Sequence, residues 1–162
     1  MEFLKDATHG VAVADFYAGQ MESFWGDLQI KANLEACMTS DDVFFDSVDD
    51  YVNIFREGTY TKLESVVVNW GDLLNTDLVD CMSDEVVYDA FQRTAYEWNH
   101  FQGSITNVVD IIKNNFVTNE VSIKNFGQQL VQAWDAGLYY NAGQVNGVIF
   151  TFLLWNPNEP TY

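Results

Sequence analysis

The chain has 162 residues, 24 acidic against 7 basic, a formal net charge of −17, and 48% hydrophobic and 15% aromatic side chains. The basic residues (Lys5, Lys31, Arg56, Lys62, Arg93, Lys113, Lys124) stand singly, which excludes nucleic acid and anionic membrane surfaces as partners. So large an apolar share argues for one domain with a real core and against acidic disorder.

In chain order, Val13, Phe16, Tyr17, Phe24 and Leu28 predict an opening helix, which Gly19 and Gly26 weaken. Phe44, Val48, Tyr51 and Phe55 form the next stripe, between Asp41 and Arg56. Leu63, Val66, Val67, Trp70 and Leu74 follow, then Val87, Phe91, Ala95 and Trp98. Ile105, Val108, Ile112 and Phe116 precede Ile123, Phe126, Leu130 and Trp134, and a last helix is expected from about Tyr139 to Trp155. Thr39-Ser40 before Asp41-Asp42, and Ser83 before Asp84-Glu85, read as N-caps with acids in the first turn. Gly58, Gly103 and Gly137 read as C-caps or turns. The sum is an all-α, single-domain bundle of six to seven helices over residues 1–155. An extended tail, 156–162, carries the only two prolines, Pro157 and Pro160.

A short echo links Cys37-Met38-Thr39-Ser40-Asp41-Asp42-Val43 to Cys81-Met82-Ser83-Asp84-Glu85-Val86-Val87. In each copy a Cys ends one helix and a capped acidic start opens the next. Two equivalent junctions lying side by side predict a Cys37–Cys81 disulfide; a pair of buried free thiols is the alternative.

Most candidate chemistry fails on spacing. Asp41, Asp42, Asp46, Asp49 and Asp50 lack the glycine-centred oxygen pattern of a calcium loop and read as a solvated face that screens itself with loosely bound cations. Glu97-Trp98-Asn99-His100 has the spacing of di-iron bundles without the second copy they need. No nucleophile elbow or phosphate-cradling loop occurs, and no Asn-x-Ser/Thr sequon. The expectation is therefore no enzyme, no metal centre, no cofactor and no membrane insertion.

The aromatic surplus and the tail direct attention elsewhere. Trp155, Pro157, Pro160 and Tyr162 form an extended arm suited to docking on a neighbouring subunit. Gly143 and Gly147, one turn apart, allow another backbone to approach closely, with Tyr139 and Tyr140 packed over the joint; a kinked helix start is the competing explanation.

Gly137-Leu138-Tyr139-Tyr140 followed by Gly143-Gln144-Val145-Asn146-Gly147 resembles the C-terminal part of small two-cysteine helical proteins of ciliates. Phe16 and Gly19 in the first helix, then Cys37, a helix pair and Cys81, match their layout. The resemblance implies a helical fold, a disulfide and a secreted or vesicular location, and implies no activity. For an exported chain the leader would be missing from this sequence, because MEFLKDATHG is not a signal peptide. The functional expectation is a self-associating structural subunit, a homo-oligomer or polymer such as a filament or tube. Its rivals are a carrier of a lipid or other apolar small molecule, recognisable by a cavity of several hundred Å3, and a hydrolase, recognisable by two carboxylates converging in a cleft.

Overall fold

A computed structural model describes residues 2–25, 30–37, 42–66, 81, 83–90, 92 and 105–154. The molecule is all-helical, with no strand among the described residues. Its elements are α1 (Glu2–Trp25), α2 (Lys31–Cys37), α3 (Asp42–Glu57), a 3-10 turn (Tyr60–Lys62), α4 (Ile105–Thr118), α5 (Glu120–Asp135) and α6 (Tyr139–Leu154). Residues 63–66 and 85–90 are also helical. Val67, Trp70, Leu74, Phe91, Ala95, Trp98, Leu28, Gly26, Gly103, the Thr39-Ser40 cap, the Glu97–His100 motif and the tail 156–162 lie outside the described residues.

The amphipathic stripes account for α3 and α5. Val48, Tyr51, Val52 and Phe55 bury one face of α3, and Ile123, Gly127, Leu130 and Trp134 bury one face of α5 at alternating four- and three-residue steps. α1 is different. From residue 12 to 21 every residue but Asp15 is buried, so this helix is central and packs against α6, α2 and α3. α5 and α4 close over the other sides of α6.

Gly19 does not interrupt α1, contrary to its expected weakening effect. A Cβ there would stand 2.9 Å from the Gln144 nitrogen, so the absent side chain is what admits α6. The helix ends are set by local chemistry. Gly137, at φ 77°, closes α5: its N–H donates to the Trp134 carbonyl at 3.0 Å, and Leu138 N–H donates to the Ala133 carbonyl at 2.9 Å. That is a Schellman cap. Gly58, at φ 75°, ends α3 in a similar way through Ile54 O.

The second acidic junction is capped one residue later than expected. Asp84, not Ser83, is the N-cap, because its carboxylate accepts from Val86 N–H at 2.9 Å and Val87 N–H at 3.2 Å. Asn33 of α2 donates to the other Asp84 oxygen at 2.8 Å, tying this junction to α2. The Cys37–Cys81 disulfide makes the same connection covalently, with Cα atoms 5.3 Å apart.

Candidate functional site

A close backbone approach joins the first and last described helices. Gly143 lies on the Phe16 carbonyl, with its would-be Cβ 3.0 Å from the Gln20 nitrogen; at Gly147 the same atom would be 2.5 Å from Ser23 Cβ and 2.9 Å from Gln20 O. Contacts ascend together along both helices, so α1 and α6 run in the same direction. Gly19 and Ser23 face Gly143 and Gly147, two small residues one turn apart on each side. Asn146, fully buried, donates to Gln20 Oε1 at 2.9 Å and fixes the register. Tyr140 closes one end: its hydroxyl donates to Glu22, and Lys31 Nζ sits 5.2 Å from its ring centroid. Tyr139 instead packs edge-on against Trp134 at 4.9 Å, where Phe16 and Phe45 also meet the indole. Trp134 Nε1 donates to Asp49 at 3.1 Å, so one member of the acidic run has a structural role.

The sequence groups Tyr139, Tyr140, Gly143 and Gly147 in close helix packing and adds Gly137, the turn before them, to the same group. The structure puts Tyr140, Gly143 and Gly147 on the α1 seam, Tyr139 on the aromatic cluster and Gly137 at the α5 cap. Trp155, Pro157, Pro160 and Tyr162 lie outside the described residues.

Two features are not apparent from the sequence. The first is a partly open groove of about 460 Å3 between the Tyr60–Lys62 turn and α4. Tyr60, Leu63, Ile112, Phe116 and Val117 supply its apolar wall, and Thr61, Glu64 and Lys113 its polar edge. Lys113 and Glu64 form an ion pair at 3.7 Å. Tyr60 stacks obliquely on Phe116 at 5.1 Å, and Lys124 Nζ lies 5.0 Å from the Tyr60 centroid. At the end of that wall the α4–α5 corner turns at Asn119 and leaves Val117 74% and Val121 75% exposed.

The second is a carboxyl pair, Asp15 of α1 and Glu35 of α2. Burial raises the Asp15 pKa from 3.8 to about 7, aided by a hydrogen bond with Glu35 and by Glu35's charge, while Lys31 opposes the shift. Neither residue lines the groove, whose wall carries one carboxylate, Glu64. Among the described residues no group of three or more His, Cys, Asp or Glu is placed to hold a metal ion, and no helix is long and apolar enough to cross a membrane.

Comparison with protein-family models, curated proteins and solved structures finds no match to this chain.

Proposed function

We propose that the chain is a non-enzymatic structural subunit, extracellular or vesicular, that associates with copies of itself into a filament or tube. The observation that carries the reading is the α4–α5 corner: Val117 and Val121, each about three-quarters exposed, on an otherwise strongly acidic molecule. Exposed apolar surface of this kind is what an interface covers. The disulfide supports an oxidising compartment, and the resemblance to small two-cysteine helical proteins of ciliates points the same way. Loosely bound cations belong to this reading as screening for the carboxylates.

Val121→Asp places a charge at the corner without touching the core. Sedimentation and electron microscopy of the purified protein are expected to show assembly that this variant reduces and that deletion of residues 156–162 abolishes. A wild-type protein that stays monomeric at pH 5 with divalent cations present refutes the reading. One observation favours a second reading, carriage of a small apolar molecule: the groove of about 460 Å3 falls within the range of ligand pockets.

A further inference from the structure

We infer that the groove between the Tyr60–Lys62 turn and α4 binds a single-chain amphiphile with an anionic head, of the fatty-acid class, its carboxylate at Lys113. The inference rests on the carrier reading and names its ligand. The hydrocarbon chain lies along Leu63, Ile112 and Phe116, and the head stays at the solvent edge.

Charge complementarity selects the head group. The chain has 7 basic residues against 24 acidic ones, and its field repels anions. Yet Lys113 lines the edge of this groove, and Lys124 covers the ring of Tyr60 in its wall. A neutral apolar ligand needs neither. Lys124 is engaged by Glu120 at 2.6 Å, whereas Lys113 is held loosely, 3.7 Å from Glu64 with its side chain 59% exposed. An ammonium has three donors, so Lys113 can take a ligand carboxylate while remaining near Glu64. Apolar wall and charged rim together fix one orientation, chain inward and head outward.

The test is calorimetric titration of the full-length protein with monomeric dodecanoate, with dodecanol as the neutral analogue. Saturable binding of one dodecanoate, tighter than dodecanol, is expected. Lys113→Glu should weaken dodecanoate about tenfold, the worth of one hydrogen bond to a charged group, and leave dodecanol unchanged. Glu64→Gln should tighten dodecanoate, a gain that misfolding cannot produce. Thr61→Trp, at an exposed groove position, should weaken both ligands. Equal binding of the two ligands, or dodecanoate binding insensitive to Lys113→Glu and Glu64→Gln, overturns the anionic-head assignment and leaves the carrier reading standing. Binding of neither ligand overturns both, as does association with phosphatidylglycerol vesicles in place of monomeric dodecanoate.

Discussion

At Gly143 a hydrogen atom stands where any other residue would put a carbon onto the Phe16 carbonyl. Gly→Ala inside a helix ordinarily gains up to ~1 kcal/mol, through helix propensity. Here the sign should reverse. Gly143→Ala forces two backbones apart and is expected to lower stability by about 1–3 kcal/mol, the range for overpacking, measured by urea denaturation. An unchanged or raised midpoint would show that the seam is looser than it looks. Asp15 makes a residue-scale prediction in pH. Its folded pKa of about 7 lies above the 3.8 of the unfolded chain, so the native state holds the extra proton between those values. Its contribution is greatest below that window and is lost as pH rises through it. Asp84 works in the opposite sense: the Asn33 hydrogen bond, then those from Val87 and Val86, hold its carboxyl below the usual value, so its contribution is lost on acidification. Thermal melts from pH 5 to 8 should show wild-type stability falling with pH, and Asp15→Asn should flatten that slope. A parallel slope in the variant would assign the pH dependence elsewhere.

Elements differ in how far local pattern reveals them. α3 and α5 are legible because each buries one face, and a stripe at three- and four-residue steps is the direct image of that burial. The Cys37–Cys81 pairing is legible for a related reason, since a similar run of Cys-Met, a hydroxyl residue and acids recurs in the sequence. α1 is less so: from residue 12 to 21 it is buried on almost every side, which the stripe of Val13, Phe16 and Tyr17 understates, and its interior glycine reads as a flaw until its partner is known. The small-residue step in α6 is visible as Gly143 and Gly147, but nothing local says that Gly19 and Ser23 answer it. The groove is hidden more deeply, because Leu63 and Ile112 come from segments about fifty residues apart and meet only in the fold. The disulfide ties α2 to the start of the 85–90 helix across a sequence separation of 44. In the chain-entropy model such a loop contributes about 4 kcal/mol. Cys37→Ser with Cys81→Ser should lower the denaturation midpoint by a corresponding amount while Asp84 continues to cap its helix. A double variant as stable as the wild type would assign the junction's stability to the Asn33–Asp84 bond and packing.

For the whole molecule, charge sets the terms of association. A net −17 on 162 residues opposes the approach of a second copy, and an exposed pair of valines is a small counterweight. The proposed assembly should therefore depend on conditions that quiet the carboxylates. Light scattering is expected to rise as pH falls from 8 towards the isoelectric point near 4.1, and to rise at neutral pH on adding divalent cations. Scattering indifferent to both would remove charge as the gate on assembly.

The pairing of α1 with α6 also has a temporal side. Gln20 and Asn146 are 126 residues apart, and a ribosome adding ~5–20 residues per second needs ~6–25 s to travel between them. During that interval α2, α3 and both cysteines are synthesised, while the buried face of α1 still waits for its final partner. Early oxidation of Cys37 with Cys81 would then act as a holding clamp on the nascent chain, keeping the first half compact until the last helix arrives to complete the core.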